Sequence, residues 1–349
     1  MKKIFLVITV FSSILLLTGC VRIQRGALGP FDGGVWISND KGESWQQKVA
    51  LPTLAGVKSL SDLNVNLFVF DPKDSQTIYI GGENAGLFVS YDNGESWQEI
   101  TKLPKATIIG LAIDPKAKNI IYATIGNRIF KTTDCCRTWE NIYLDIPGVA
   151  VNALAIDPAN SKIIFAGLAD GRLIKSEDGG KNWKLFSDFR TNIKEILFNP
   201  KEPKIVYLAT QTAGIFRSTD SGLNWRKVEG LEKFPGGQNY KYGFFDKTKR
   251  DALFILTDYG FLRSNEEVKD WKDYPLLTQP GQVKIYSFAV NQKNPDEIYY
   301  ATETTFYKSN NGGRTWITKN LPVKRLPIYL AINPDNPDTL YLATYKPAR

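Results

Sequence analysis

Four carboxylates occupy positions where they could take part in catalysis. Glu83, Asp170, Asp258 and Glu303 each lie in a short polar segment between two apolar runs, and catalytic groups are commonly carried on loops of a rigid scaffold. Hydrolysis of a glycosidic bond needs two carboxylates about 5 to 9.5 Å apart. The residue type therefore suits that reaction, but four acids in polar loops are ordinary and do not by themselves establish such a pair.

Composition excludes several other kinds of site. The chain has no histidine, which removes the commonest general base and metal ligand, so Ser-His-Asp and Cys-His mechanisms are excluded. The cysteines, Cys20, Cys135 and Cys136, are too few for a disulfide framework or a structural zinc site. We expect neither a metal nor a cofactor. For Cys135 and Cys136, two free thiols and a strained vicinal disulfide are both open.

The N-terminal residues have the pattern of an export signal. Lys2 and Lys3 precede an apolar run of 14 residues, from Ile4 to Leu17, which is shorter than the roughly 20 residues of a membrane-spanning helix and typical of a cleaved signal peptide. Leu17-Thr-Gly-Cys20 resembles the bacterial lipobox, whose cysteine becomes lipidated. We expect a signal peptide over 1–19 and a lipidated Cys20 with a tether over 20–32. The protein would then be exported and lie at the outer face of the cytoplasmic membrane or at the outer membrane.

A repeated motif organises the rest of the chain. The pattern Ser/Thr-x-Asp-x-Gly-x-Ser/Thr/Asn-Trp recurs seven times with some degenerate copies, and its tryptophans are 42 to 52 residues apart. The aspartate can accept hydrogen bonds within its turn, the glycine permits a left-handed backbone, and the tryptophan buries a large ring that clamps the hairpin. We interpret these residues as structural: Asp40, Trp45, Asp92, Trp97, Asp134, Trp139, Asp178, Trp183, Asp220, Trp225, Trp271 and Trp316.

A second motif, an apolar strand, a turn and another strand, lies between the boxes. Leu111-Ala-Ile113-Asp-Pro115 followed by Ile121-Tyr-Ala123 is one example, and such runs bounded by Asp-Pro or Asn-Pro turns predict strands. The chain begins with an outer half-unit and ends with an inner one. Their pairing would close a ring and remove its exposed edge. The predicted fold is all-β, a single seven-bladed β-propeller of four-stranded blades over 33–349.

The repeated motif resembles the Asp-box, or BNR repeat, of sialidases, sortilin-type receptors, xyloglucanases and photosystem II stability/assembly factors. The last family is the most similar over the whole chain, since its members are single seven-bladed propellers, often lipid-anchored and without catalytic activity. Sialidases have six blades and an Arg-Ile-Pro motif ahead of their boxes, whereas the nearest match here is Arg325-Leu-Pro327, near the C terminus. Xyloglucanases join two such propellers. The resemblance to these two enzyme families therefore covers the scaffold only.

Positive charge is expected to gather on one face. In this strand order the boxes and Asp-Pro turns share one end of the propeller, and the loops that enter each blade lie at the other, loop-rich end. The segments between blades, two of them long (46–64 and 226–242), carry fifteen Lys or Arg against eight acids, with Lys48, Lys184 and Lys319 among them. Such a face favours an acidic partner or lipid headgroups. The residues predicted to contact a partner are Lys233, Tyr240, Lys241, Tyr242, Lys324 and Arg325.

These observations predict a non-enzymatic binding propeller. It would be a lipid-anchored monomer whose loop-rich face holds a protein partner, such as a membrane protein or a complex under assembly. A net charge of +8 without a run of Lys and Arg provides no nucleic-acid footprint. The alternative is a carbohydrate-active or glycan-binding propeller that uses Glu83, Asp170, Asp258 and Glu303.

Overall fold

A computed structural model describes residues 31–347, so the predicted signal peptide, Cys20 and most of the predicted tether lie outside the described residues. In the described part, β-strands form seven antiparallel four-stranded sheets and one two-stranded hairpin, accompanied by two short 3-10 turns, Leu231–Lys233 and Glu266–Val268. Each four-stranded sheet is one blade. This architecture confirms the predicted seven-bladed β-propeller.

The strands follow the chain in a regular order. First come β1 (Val35–Ser38) and β2 (Gln46–Lys48), then a hairpin of β3 (Ala50–Thr53) and β4 (Gly56–Ser59). Blade 1 contains β5 (Val65–Asp71), β6 (Asp74–Gly82), β7 (Gly86–Ser90) and β8 (Gln98–Glu99). Blade 2 contains β9 (Gly110–Ile113), β10 (Ile121–Ile125), β11 (Arg128–Thr132) and β12 (Glu140–Leu144). Blade 3 contains β13 (Val151–Ile156), β14 (Ile164–Leu168), β15 (Arg172–Ser176) and β16 (Lys184–Asp188).

The remaining blades repeat this arrangement. Blade 4 contains β17 (Ile193–Phe198), β18 (Val206–Thr210), β19 (Ile215–Ser218) and β20 (Arg226–Lys227). Blade 5 contains β21 (Tyr240–Phe245), β22 (Leu253–Thr257), β23 (Phe261–Ser264) and β24 (Trp271–Asp273). Blade 6 contains β25 (Ser287–Val290), β26 (Ile298–Ala301), β27 (Thr305–Ser309) and β28 (Ile317–Asn320), and β29 (Leu326–Ile332) and β30 (Leu340–Tyr345) complete the chain.

Blade 7 joins the two ends of the described chain. β30 pairs with β1, with Val35 opposite Ala343 and Ser38 opposite Leu340, so the strand order of this sheet is β2-β1-β30-β29. This is the predicted closure. Because the seam lies inside a sheet, neither half-blade presents an open inner edge to solvent.

The Asp boxes form the turns between the third and fourth strands. Asp40 Oδ1 accepts hydrogen bonds from the Ser38 hydroxyl at 2.7 Å and the Ser44 N–H at 2.8 Å, and Oδ2 accepts one from the Ser44 hydroxyl at 2.5 Å. Equivalent bonds, which are those predicted from the sequence, occur at Asp92, Asp134, Asp178 and Asp220. Bonds from the Thr138 hydroxyl and amide hold the pKa of Asp134 at about 2. These aspartates are therefore ionised structural acceptors rather than proton donors.

The box tryptophans join neighbouring blades. Trp45 of blade 7 packs edge-on against Phe306 of blade 6, with ring centroids 5.6 Å apart, and Trp97 Nε1 of blade 1 donates to the Lys48 carbonyl of blade 7 at 2.9 Å. These contacts cross to the preceding blade, so the rings do more than clamp their own hairpins. Two of the rings, Trp97 and Trp271, are buried, and the others are half-buried: Trp45, Trp139, Trp183, Trp225 and Trp316.

Blade 5 departs from the predicted pattern. The sequence places 226–242 in a long loop, but Tyr240–Phe245 forms β21, the inner strand of blade 5. Five of the other six inner strands end at an Asp-Pro or Asn-Pro turn, whereas this one ends at Asp246-Lys247 and contains Gly243, so its pattern is weak. The prediction of a loop here was wrong for residues 240–242. Tyr240 and Tyr242 consequently belong to the wall of the axial channel, which the inner strands surround.

Candidate binding site at the axial channel

Most inner strands carry a bulge at their loop-rich end. In β5, β13, β17, β21 and β29 the pairing with the adjacent strand skips one residue near the strand start. A bulge leaves the extra residue unpaired and redirects its side chain. Four of the five skipped residues are polar, namely Asn66, Asn152, Lys194 and Lys241, and the fifth is Ile328. The bulges therefore give the loop-rich end of the channel a polar character that the rest of the inner strands lack.

Three lysines lie at this end in blades 4, 5 and 6. Lys194 is exposed, Lys241 Nζ lies 3.2 Å from Asp258 Oδ1, and Lys284 Nζ lies 4.9 Å from the centroid of the Tyr286 ring. We call Lys194, Lys241, Lys284 and Tyr286 the basic funnel. Lys241 was predicted from the sequence, whereas Lys194 was missed because it falls within a strand.

A carboxylate lies next to the funnel in β17. Glu195 Oε2 accepts hydrogen bonds from the Tyr240 hydroxyl at 2.5 Å and the Gly243 N–H at 3.2 Å. Burial in the channel wall raises the pKa of Glu195 to about 7, and the two hydrogen bonds oppose that shift. Sequence reasoning missed this residue. The signal that could have found it is the Lys-Glu pair inside the otherwise apolar strand 193–198.

The two tyrosines predicted to contact a partner are held within the channel wall. Tyr240 is buried and binds Glu195. Tyr242 stacks on Phe288, with ring centroids 4.9 Å apart, and its hydroxyl donates to the Phe288 carbonyl at 2.7 Å. Burial raises the pKa of both phenols. Their hydroxyl groups therefore fix the inner strands of neighbouring blades instead of facing a partner, which differs from the expectation.

Arg325 also differs from its predicted role, because it is buried at the ring closure. Only 6% of the residue is exposed, and its guanidinium lies 2.6 Å from Asp62 Oδ1 and 3.3 Å from Asp32 Oδ1. Nη1 also donates to Asn64 Oδ1 at 2.8 Å. These partners come from the segment before β1 and the segment after β4. Lys233 and Lys324, by contrast, have exposed side chains.

The positive charge is less concentrated on the loop-rich face than expected. Three lysines counted there, Lys48, Lys184 and Lys319, instead form ion pairs with box glutamates. Their partners, in the same order, are Glu95, Glu177 and Glu43. These lysines sit on outer strands, whose side chains can reach the boxes, so assignment of charge from loop boundaries alone overestimated the charge of the face.

The four candidate catalytic acids lie on four different blades. Glu83, Asp170, Asp258 and Glu303 belong to loops of blades 1, 3, 5 and 6. Among the hydrogen bonds and ion pairs of residues 31–347, none joins two of these acids. Three of them bind neighbouring side chains instead. Glu83 binds Asn64 and Tyr345. Asp170 binds Arg172, and Asp258 binds Asn239 and Lys241.

The described residues show no other obvious chemical site. Between residues 31 and 347, no three Cys, Asp or Glu side chains are grouped so that they could hold a metal ion. Cys135 and Cys136 are free thiols, and burial raises the pKa of Cys136 to about 12. The same part of the chain contains no helix with the length and apolar character needed to cross a membrane.

The box end of the channel opens into an apolar cavity of about 540 Å³. Its wall comes from the far ends of inner strands, including Phe70, Leu197, Phe244 and Leu330. The channel is therefore polar at the loop-rich end and apolar at the box end. This opening was not predicted from the sequence, because the residues that line it follow the same apolar pattern as residues that fill a core.

Comparison with known proteins gives sequence relatives that match only in part. No family model matches the chain. It is 31% identical over 126 residues to a probable oligoxyloglucan-reducing end-specific xyloglucanase of Neosartorya fischeri, and the match covers 34% of this chain and 15% of that protein. The chain thus spans only a small part of the curated relative it matches.

Two solved structures resemble the chain over most of its length. The GH74 xyloglucanase of Xanthomonas campestris aligns with a TM-score of 0.66 and 17% identity, covering 81% of this chain and 51% of that one. YCF48, solved with a D1 peptide bound, aligns with a TM-score of 0.60 and 17% identity, covering 82% of this chain and 94% of that one. At these identities the likeness concerns the fold alone. The chain is a seven-bladed β-propeller whose architecture matches the YCF48 and GH74 xyloglucanase structures.

Proposed function

We propose that this protein is a non-enzymatic scaffold that binds a protein partner at the basic funnel. The observation that carries the proposal is the position of Lys194, Lys241 and Lys284 at the loop-rich end of three consecutive blades, where Asp258 is already paired. A cleft lined by ammonium groups attracts ligands that carry carboxylates and speeds their encounter.

An acidic protein segment is the ligand that fits this surface best. Its carboxylates can reach lysines on separate blades, and Tyr286 offers an aromatic ring for an apolar side chain. The YCF48 structure supports a peptide ligand, since a single propeller that aligns over 94% of its length was solved with a peptide bound. The partner of the present chain would be a membrane protein or a complex under assembly.

We further propose that the protein is exported and carries lipid on Cys20. The support is the apolar run of residues 4–17 followed by Leu17-Thr-Gly-Cys20. Metabolic labelling with an alkyne fatty acid tests the modification. The wild type should incorporate label and sediment with membranes, whereas Cys20→Ala should incorporate none. Equal labelling of the two proteins would refute the assignment.

Cross-linking in membranes, followed by purification and mass spectrometry, tests the binding surface. The double variant Lys194→Glu/Lys284→Glu should lose the partner that the wild type captures. The control, Lys118→Glu/Arg314→Glu, makes the same charge change at exposed positions on the box face and should keep it. Loss of the partner from both variants, or from neither, would contradict the proposed site.

Glycoside hydrolysis is the second candidate, favoured by the sequence identity with xyloglucanases. It is disfavoured because three of the four candidate acids, Glu83, Asp170 and Asp258, are already bound by neighbouring side chains. Incubation with xyloglucan oligosaccharides, with chromatography to detect released products, distinguishes a scaffold from a glycoside hydrolase. We expect no product to be released. Hydrolysis that is abolished by Asp258→Asn or Glu303→Gln would replace the scaffold proposal with an enzymatic one.

A further inference from the structure

The β3–β4 hairpin is an insertion between blades 7 and 1 that none of the four-stranded sheets includes. Four residue pairs form it, from Ala50 opposite Ser59 to Thr53 opposite Gly56. At its tip Leu54 is completely exposed, and Val57 is 73% exposed. A single exposed leucine is ordinary, but here two exposed aliphatic side chains lie three residues apart at the tip of one hairpin, which suits a contact surface.

The base of the hairpin is firmly packed against the propeller. The Trp97 N–H donates to the Ala50 carbonyl at 2.9 Å, and the Leu60 N–H donates to the Val49 carbonyl at 2.8 Å. Leu51 and Leu60 are buried, and the Thr53 hydroxyl donates to the Gly56 carbonyl at 2.7 Å. The fold thus holds the hairpin in place and presents its tip to the surroundings.

The composition of the hairpin suits a lipid surface better than a protein. Residues 49–60 contain one lysine, the exposed Lys58, and no acid or aromatic residue. Aliphatic side chains beside a lysine can enter the boundary between headgroups and acyl chains while the ammonium stays with anionic headgroups. Protein interfaces are instead enriched in aromatic residues and arginine.

The hairpin also lies where the chain enters the propeller. The Gly33 N–H donates to the Ser61 carbonyl at 2.8 Å and the Gly34 N–H to the Leu63 carbonyl at 2.9 Å, so the residues just after β4 adjoin the start of the blade structure. If Cys20 carries lipid, as the proposed function states, the intervening residues span at most about 40 Å. This part of the propeller is then within reach of the bilayer.

We infer that the tip of the β3–β4 hairpin is a membrane-contact element that inserts Leu54 and Val57 at the bilayer surface. Together with the lipid it provides a second point of attachment, and two such signals hold a protein on a membrane more stably than one. Two points of attachment also restrict how the propeller can turn, so the basic funnel would face its partner in a limited range of orientations.

Tryptophan fluorescence in vesicles tests this inference. Full-length Leu54→Trp is reconstituted in vesicles of anionic and zwitterionic phospholipids, with and without bromine on the acyl chains. The emission of this added tryptophan, obtained by difference from wild type, should shift to the blue and be quenched by the brominated lipid. The matched control is Leu223→Trp, at a position 68% exposed in the box of blade 4, whose added emission should stay unquenched.

Equal emission from the two variants in both kinds of vesicle would overturn the inference. A tryptophan at position 54 whose emission changes only when a partner protein is added would also overturn it.

Because both substituted leucines are exposed, unchanged melting temperatures should show that the variants fold. A missing lipid on Cys20 would appear in the fatty-acid labelling but would leave the quenching test valid, since the vesicles are supplied directly. A Leu54→Asp variant should bind vesicles about tenfold more weakly than wild type.

Discussion

Glu195 illustrates how the position of one residue can set the response of the protein to pH. Its pKa is raised by burial from 4.5 to about 7, so the folded protein retains a proton that the unfolded chain has already released. The contribution of Glu195 to stability is therefore fully present below pH 4.5 and is lost as the pH rises through about 7. The loss is at most a few kcal/mol, at about 1.4 kcal/mol per pKa unit.

The variant Glu195→Gln should remove most of this pH dependence. A neutral amide mimics the protonated acid, so the free energy of unfolding should match that of the wild type near pH 5 and exceed it near pH 8. Urea unfolding at both pH values measures the difference. The exposed Glu303→Gln is the control and should change stability by less than about 0.5 kcal/mol. If wild type and Glu195→Gln lost the same free energy of unfolding between pH 5 and pH 8, the raised pKa of Glu195 would be contradicted.

At the scale of single elements, the contacts between blades depend on the box glycines. Gly42 has a φ of +84°, and a Cβ added there would lie 2.4 Å from the ring of Phe306 in the neighbouring blade. Phe306 in turn packs against Trp45. The glycine is therefore required both by the left-handed backbone and by the close approach of blade 6.

The variant Gly42→Ala should lower the free energy of unfolding by about 2 to 4 kcal/mol, because backbone strain and overpacking add. Gly56→Ala separates the two effects. Gly56 has a φ of +115° with nothing within 4 Å of an added Cβ, so only the strain, about 1 kcal/mol, should be lost. Chemical denaturation measures both variants, and an equal loss would show that the interblade contact contributes nothing.

The sequence predicts some of these elements better than others. The boxes and the seam are predictable because Asp, Gly and Trp recur at fixed spacing and because outer and inner half-units are left over at the two ends. β21 was missed because its turn, Asp246-Lys247, lacks the proline that follows five of the other inner strands and because Gly243 interrupts its apolar pattern. This error placed Tyr240 and Tyr242 in a loop. Glu195 was missed because its importance arises from the hydroxyl of Tyr240, a contact between strands that no local pattern reveals.

At the scale of the whole molecule, the ring is held closed by more than strand pairing. Arg325, from the C-terminal side of the seam, binds Asp32 and Asp62, which both come from the N-terminal side, and the Thr344 hydroxyl donates to the Asp32 carbonyl at 3.2 Å. The seam therefore joins three separate segments of the chain through one guanidinium. This role was hidden in the sequence, where Arg325 is simply a cation in a loop.

The variant Arg325→Met should destabilise the propeller by about 2 to 4 kcal/mol, because it removes a buried cation that binds the Asp32 and Asp62 carboxylates and the Asn64 side chain. Lys324→Met, at the adjacent exposed position, should change the free energy of unfolding by less than about 0.5 kcal/mol. Urea unfolding compares the two. Equal stability of Arg325→Met and wild type would show that strand pairing alone closes the ring.

The division of the channel into a polar and an apolar end gives the molecule two distinct faces. The proposed partner belongs at the polar end, where Lys194 and Lys284 are exposed. We therefore expect the loop-rich face, and not the box face, to be occupied in the cell.

Site-specific photo-cross-linking tests that claim most directly. A photoreactive p-benzoylphenylalanine replaces Tyr286 in the basic funnel or, as a control, Tyr91, which is 51% exposed in the box of blade 1. Cells are irradiated and adducts are resolved by gel and mass spectrometry. We expect a specific protein adduct from position 286 and none from position 91. An adduct from position 91 alone, or from neither, would contradict binding of a protein partner at the funnel.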